Sequence, residues 1–457
     1  MMAVQGETCN RRPGRRIDSD EAMGDLRETR LESPRRIRCP FCGDRISLSS
    51  LHARCESEVC RGSGSRKVAD PIRASVLARN GHAVAGEWPS TWWADPWEDS
   101  RRRYRRWLDW ILPPRSLKCP ECGRPASCCL CPRCHAQLPG SLWREPLASV
   151  ALAGSRLAGK STYLAVVSQL LACRVAPGSA MEYGPASDES DRRLGLNYLR
   201  FTYGQAKLDG RAEKQTVSEP RPTTPTPSIR EDPTALEPLL FRLSGRARNA
   251  MVAWYDVPGE DWELGTAGWG GDQGVLSAVR GLILLIDPTR FQAVARGLRA
   301  HGTSASRQDP AECLGLDLNE LPVRLARSTN RPDRQVAVVL GKLDRWCGLL
   351  DRGTALHEVA TRPMAWRLDD SFDQEVHDEA QALMERWGAA DVVDAISRCS
   401  RRARWFAVSS LGDAAPRSGR TGPLALPAPW LVERPVIWLF RNQGIWPREL
   451  PLRSSRS

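Results

Sequence analysis

The sequence predicts an α/β fold in which a mostly parallel sheet carries helices on both faces and small metal-binding modules precede it. Three observations carry that expectation. From about residue 146 to 441, short aliphatic runs alternate with segments of helical spacing, the pattern of a parallel sheet with crossover helices. The first of these runs leads into a glycine-rich segment with phosphate-loop spacing, Gly154 to Ser161. Ten of the 15 cysteines fall in two tight clusters, at residues 39–60 and 119–134, and in a reducing compartment such clustering points to metal.

Composition is that of an ordinary globular chain. The 457 residues carry a formal charge of +12, with 41% hydrophobic and 26% charged side chains. This excludes a disulfide-stapled miniprotein and a wholly disordered chain, and leaves room for two or three domains. The longest purely aliphatic run, Leu282 to Ile286, is far short of the roughly 20 residues that a membrane span requires. The N-terminus has charge but no apolar stretch or small-residue cleavage site, so a cytoplasmic protein is expected. Only six of the 66 basic residues are lysine. A site that keeps lysine in such a chain wants a compact ammonium rather than a planar guanidinium, and Lys160 and Lys342 both lie in motifs described below.

Taken in order, residues 1–38 are polar without a hydrophobic period, as expected of a disordered tail. A first zinc-ribbon-like module is expected at 39–66, opened by Cys39-Pro-Phe-Cys42-Gly and completed by the looser Cys55 and Cys60, with His52 the alternative fourth ligand. The connector, 67–118, holds Trp88, Trp92, Trp93, Trp97, Trp107 and Trp110 interleaved with the arginines from Arg101 to Arg106. It reads as a cover for modules too small to make their own core, as a surface for a protein partner, or as a nucleic-acid contact. The basic surplus is spread widely rather than gathered, so nucleic acid is not favoured. A second ribbon is expected at 119–140, where Cys119 and Cys122 precede Cys131 and Cys134 by eight residues. Each C-x2-C turn lets two thiolates face one ion, and four thiolates with no open position imply structural Zn²⁺. Cys128, Cys129 and His135 are spare, His135 reading as a surface residue. The expectation is two structural Zn²⁺ sites, one in each cluster. An iron centre uses similar turns, but no redox motif accompanies these.

The nucleotide domain is expected over 146–445, followed by a tail at 446–457. Its strands read as LASVALAG, LEPLLFRLSG, NAMVAWYD, GLILLID, RQVAVVLG and RWFAVSS, with a helix over Val432 to Asn442. A proline-rich insertion, 205–236, and a second loop, 412–430, are expected to be irregular. Gly154-Ser155-Arg156-Leu157-Ala158-Gly159-Lys160-Ser161 fits G-x-x-x-x-G-K-[ST], and Thr162 follows at the start of a helical run. Such a loop points successive backbone N–H groups at an anion while the helix N-terminus adds partial positive charge. Lys160 would reach the β- and γ-phosphates, and the Ser161 hydroxyl would sit on Mg²⁺.

Asp256, in Asp256-Val-Pro-Gly259, closes a strand where it can hold the same Mg²⁺, and the Gly259 N–H can meet the γ-phosphate. Asp287, closing GLILLID, competes for that role but is followed by Pro288 rather than a second acid. Base selection falls to Gly341-Lys342-Leu343-Asp344, where lysine can lie along a purine and the carboxylate accept from guanine N1 and N2. Adenine offers no such donor pair, so an unmet carboxylate discriminates against it. Ser409 and Ser410, in the next strand end, offer loop backbone to the guanine oxygen.

GSRLAGKS, DVPG, GKLD and SSL stand in the order of four boxes of the TRAFAC-class P-loop GTPases, Ras-like and translation-factor-like. With the preceding cysteine modules, the chain resembles the bacterial zinc-ribbon-bearing GTPases of the double-GTPase conflict-system group. The resemblance implies a G-domain-like fold and a GTP/GDP switch with Mg²⁺ whose active form engages a protein partner. It implies a switch threonine at Thr224 or Thr226, and a hydrolytic position at Glu260, where a carboxylate near the γ-phosphate would slow turnover. Gly341 departs from the pattern, which has Asn or Thr before the lysine. The alternatives are an ATP-dependent protein using Asp287 with nucleic-acid-gripping zinc modules, and a nucleotide-binding scaffold without turnover.

Overall fold

A computed structural model describes residues 36–47, 128–139, 145–155, 157–186, 238–245, 249–257, 279–301, 334–361, 370–412 and 428–447. It also describes short strands at 52–54, 68–69, 87–88 and 91–93 and the single residues 72, 142 and 190. Arg156, Thr224, Thr226, Gly259, Glu260, Cys55, Cys60, Cys119 and Cys122 lie outside the described residues, as do the tail before residue 36 and the insertion at 205–236.

The C-terminal two thirds forms a seven-stranded sheet. Its strands are β9 (Leu147–Gly154), β10 (Met181–Pro185), β11 (Leu239–Gly245), β12 (Asn249–Asp256), β13 (Gly281–Ile286), β14 (Gln335–Leu340) and β15 (Arg402–Ala407), ordered β10-β11-β12-β9-β13-β14-β15. The pairs from β12 to β15 are parallel, and β10 and β11 add an antiparallel edge. The central strands β9, β12, β13 and β14 are buried nearly throughout. Both faces of each are covered, which is why the sequence shows them as unbroken apolar runs rather than as alternation.

One face is sealed by α1 (Lys160–Leu170) and the C-terminal α5 (Arg434–Asn442). Here Phe440 meets Trp254 at 6.5 Å between ring centroids, and the Gln443 side chain exchanges hydrogen bonds with Ser149 N and O at 3.1 and 3.4 Å. Strand β10 belongs to this face and was not among the expected strands. It is held by Tyr183, whose ring stacks on Phe241 at 4.8 Å and whose hydroxyl accepts from Trp254 Nε1 at 2.8 Å.

The opposite face is covered by α2 (Gln292–Ala300), α3 (Asp370–Arg386) and α4 (Ala390–Cys399), and by the N-terminal cysteine module, all within one continuous core. That module begins with the hairpin β1 (Arg36–Arg38) and β2 (Arg45–Ser47). Strands β3 (His52–Arg54), β6 (Thr91–Trp93), β7 (Cys128–Leu130) and β8 (Gln137–Leu138) form one sheet in the order β6-β3-β7-β8, and β4 (Val68–Ala69) pairs with β5 (Glu87–Trp88). His52 faces Trp93 on one side and Leu130 on the other. The two ribbons and connector read from the sequence as successive units are thus interlaced, because ladder hydrogen bonds run between all three. Among the described residues no helix is long and apolar enough to cross a membrane.

Candidate nucleotide site and metal centre

The parallel strands deliver their carboxyl ends to one edge of the sheet, the place where open α/β sheets bind ligands. In register, Asp256 lies beside Leu152, Gly154 beside Leu285, and Leu340 between Ile286 and Ala407. The glycine-rich loop, Asp256, Asp287, Lys342 and Ser409 therefore leave the sheet along a common edge.

The loop's backbone explains its composition. Gly154 has φ 148°, and a Cβ there would stand 2.2 Å from the Leu285 carbonyl oxygen, so no other residue fits between β9 and β13. Gly159, with φ 94°, caps α1, and Leu157 takes a left-handed φ of 62° with its side chain exposed. Lys160 is buried, and its Nζ donates to the Gly154 and Ser155 carbonyls at 2.7 and 2.8 Å. The ammonium thus sits inside the loop it serves. Ser161 and Thr162 follow in the first turn of α1, half-buried. Asp256 closes β12 directly beside β9 with no strand between, which puts it on the strand next to the glycine-rich loop.

Asp287 does something else. Its Oδ1 accepts from Thr289 N at 3.0 Å and from Thr289 Oγ1 at 2.6 Å, and its Oδ2 pairs with Lys342 Nζ at 2.6 Å. Asp287 thus caps the turn that follows its strand, and its second oxygen turns to the loop that carries Lys342.

The loop from Gly341 to Asp344 is tied down from several directions. Gly341 N donates to Ile286 O at 2.8 Å, Leu343 N to Val408 O at 3.0 Å, and Trp346 Nε1 to Gly341 O at 2.8 Å. Lys342 takes a left-handed φ of 56°. Ser409 Oγ donates to Asp344 Oδ1 in a short hydrogen bond and accepts from Gly412 N at 2.8 Å. Burial raises the Asp344 carboxyl above the usual range, while Ser409, Arg345 and Lys342 pull it back. Ser409 is thus a brace for Asp344. Its own N–H donates to Trp430 O at 3.0 Å, so a base contact from this loop's backbone has to come from beyond Ser409, at Ser410 or later. Trp430 and the close approach of Gly412 to Ala428 O have no motif and were not anticipated.

The metal centre differs from the expected pairing. Cys39, Cys42, Cys131 and Cys134 converge with all four sulfurs within 4.8 Å of one another. The first turn of one cluster therefore joins the last turn of the other, where two separate sites had been expected. Sequence proximity failed as a guide because hairpin β1-β2 and strand β7 meet in space. Cys39 Sγ lies 3.7 Å from Cys134 Sγ, and Cys42 Sγ 3.8 Å from Cys131 Sγ. Tetrahedral bonds of about 2.3 Å to zinc place sulfurs about 3.8 Å apart, so the four thiols fit Zn²⁺. The turns are near copies. Phe41 N and Arg133 N each approach a cysteine sulfur at 3.4 Å, and Gly43 N and His135 N return to the Cys39 and Cys131 carbonyls. His135, expected at the surface, is buried with φ 52°, in the position that Gly43 fills at φ 77°. Burial, with the neighbouring sulfurs, holds the Cys39 thiol well above its usual range. A bound cation would favour the thiolate form of all four.

The centre is fastened to the large sheet next to the nucleotide edge. Tyr255 OH donates to Pro40 O at 2.5 Å, inside the Cys39–Cys42 turn. Burial first, and then the nearby Cys39 and Cys42, raise the Tyr255 hydroxyl, so it remains a donor. The residue after it is Asp256.

No protein-family model matches the sequence. A protein of Mycolicibacterium smegmatis named as a candidate ESX-1 scaffolding and assembly protein, SaeC, is 27% identical over 337 residues, covering 69% of this chain and 80% of its own. Solved structures with some likeness include the GTP-bound GTPase-like domain of Saccharomyces cerevisiae Ski7, 12% identical with TM-score 0.28, covering 65% of this chain and 50% of that one. Another is a bacterial selenocysteine-specific elongation factor, 13% identical with TM-score 0.19, covering 55% of this chain and 28% of that one. The chain thus spans half or less of either solved structure, and these overlaps are slight.

Proposed function

We propose that this chain is a guanine-nucleotide-binding protein that hydrolyses GTP slowly with Mg²⁺ and presents a zinc-bearing N-terminal module for a protein partner. The observation that carries the reading is the shared strand-end edge. There the Gly154 to Ser161 loop leaves β9, Asp256 ends the adjacent β12, and Asp344 stands braced by Ser409. Lys160 and Ser161 take the phosphates and Mg²⁺, Asp256 supports the metal, and Lys342 and Asp344 take the base. An ionised Asp344 accepts from guanine N1 and N2 and meets no such donors on adenine. Glu260, Gly259 and a threonine at 224 or 226 complete the set by resemblance alone.

Zinc stabilises the module rather than reacting, since four sulfur ligands leave no open position. The ATPase alternative is weakened by the pairing of Asp287 with Lys342. The sequence resemblance suggests bacterial conflict, and the scaffold-named relative favours an assembly setting instead. That relative also favours a protein partner, and it keeps the scaffold without turnover as a second reading.

Equilibrium binding of GTP, GDP and ATP in Mg²⁺ tests the assignment. Guanine-selective binding should be lost in Lys160→Ala, and in Asp344→Asn it should shift toward xanthosine nucleotides. Preference for ATP, or indifference to Asp344, would sink it. Single-turnover phosphate release should exceed that of Lys160→Ala, and equal rates leave the scaffold reading.

A further inference from the structure

Resting on the guanine-nucleotide reading, we propose that Asp287 is a positioning residue for nucleotide binding. It fixes the Lys342 ammonium so that the lysine stem forms one wall of the purine slot beside Asp344. The two oxygens of Asp287 have separate tasks: Oδ1 closes the turn after β13 through Thr289 N and Oγ1, while Oδ2 alone holds Lys342 Nζ at 2.6 Å. The Asp287 side chain is 3% exposed and that of Lys342 37%, so the anchor is fixed and the lysine it holds faces the open strand edge. A buried carboxylate is costly without a partner, and the ammonium supplies one.

Gly341 shows why the anchor has to come from β13. A Cβ at Gly341 would lie 3.6 Å from Ala158 O in the phosphate loop and 3.4 Å from Leu285 Cδ1. Both are ordinary contact distances, so a Cβ is tolerated there, and glycine offers no side-chain atom to bridge base loop and phosphate loop at this position. The lysine that follows is held from the neighbouring strand end instead. A flexible four-carbon stem loses considerable rotamer freedom when a ligand must order it, and an existing ion pair meets part of that cost before nucleotide arrives.

Asp287→Asn separates the two tasks, because the amide oxygen can still accept from Thr289 while its NH₂ group cannot pair with an ammonium. GDP affinity should fall roughly tenfold with the melting temperature little changed. Lys342→Met, which keeps most of the stem, should lose a similar factor. The double variant should be no weaker than the worse single one, the non-additivity of two groups acting as a unit. In an Asp344→Asn background, Asp287→Asn should weaken xanthosine diphosphate by the same factor, since Asp287 sets stem position and not base identity. A GDP Kd unchanged in Asp287→Asn, or fully additive losses, overturns the proposal while leaving the guanine reading intact. A wild-type protein without guanine selectivity overturns both.

Discussion

The two faces of the large sheet are closed by different means. One is sealed by α1 and α5 through ordinary packing, with Trp254, Phe440 and Trp446 at its centre. The other is sealed partly by helices and partly by a small module whose fold is organised around four cysteine sulfurs. A helix-covered face depends only on apolar burial. Among the described residues the module's buried side chains are small in number, such as Ile37, Ile46, Leu130 and Leu138, and units with small cores ordinarily require a metal. On the proposed reading, the side of the sheet that carries Tyr255 is the one whose cover depends on an ion.

The largest expected effect breaks that dependence. Cys131→Ser should remove one zinc equivalent, release the module and lower the melting temperature markedly, because metal binding is folding free energy for such modules. Metal analysis with a thermal melt checks it, and retained zinc with an unchanged melt would count against the assignment. Phe440→Ala, on the helix-covered face, should cost about 3–5 kcal/mol and leave zinc content as it was. If Phe440→Ala also sheds zinc, the two faces are coupled more tightly than their separate cores suggest.

Smaller effects sharpen the contrast at the point of attachment. Tyr255→Phe leaves the Pro40 carbonyl without its donor, at a cost of about 1–3 kcal/mol, and should loosen the module without releasing metal. Limited proteolysis of the N-terminal region would report it. The two cysteine turns differ in the residue that takes the left-handed backbone, Gly43 in one and His135 in the other. Gly43→Ala should cost about 1–2 kcal/mol, since alanine resists the left-handed backbone, whereas His135→Gly relieves that backbone but gives up a buried side chain, and should cost less. Denaturant melts of the zinc-loaded protein compare them, and equal effects would mean that His135 makes up for its backbone by other contacts.

Much of the fold was legible in the sequence. β9 and β12 occupy the expected LASVALAG and NAMVAWYD segments, since runs buried on both faces and ended by Gly or Asp leave little ambiguity. β10 was not legible, because Met181–Pro185 lacks an aliphatic run and is held by the stacking and hydroxyl of Tyr183. The helix read from Val432 begins at Arg434. At the site, carboxylates and lysines could be picked out by motif, but their partners could not. That Asp287 meets Lys342 follows from β13 lying beside β14, and that Ser409 braces Asp344 follows from β15 lying beside β14. The cysteines illustrate the same limit: spacing marked them as candidate ligands, and only the three-dimensional meeting of two turns showed that Cys39, Cys42, Cys131 and Cys134 converge.

That meeting has a consequence for how the chain is made. The sulfurs of Cys39 and Cys134 touch across 95 positions, and Tyr255 reaches Pro40 across 215. During synthesis the first cysteine turn emerges long before its partner turn, and the sheet that receives the module emerges later still. Until then the Cys39 and Cys42 thiols wait without the Cys131 and Cys134 turn that they meet in the fold. Zinc supply during translation should thus influence the yield of correctly assembled protein, with starved cells accumulating chains oxidised or mispaired at Cys39 and Cys42.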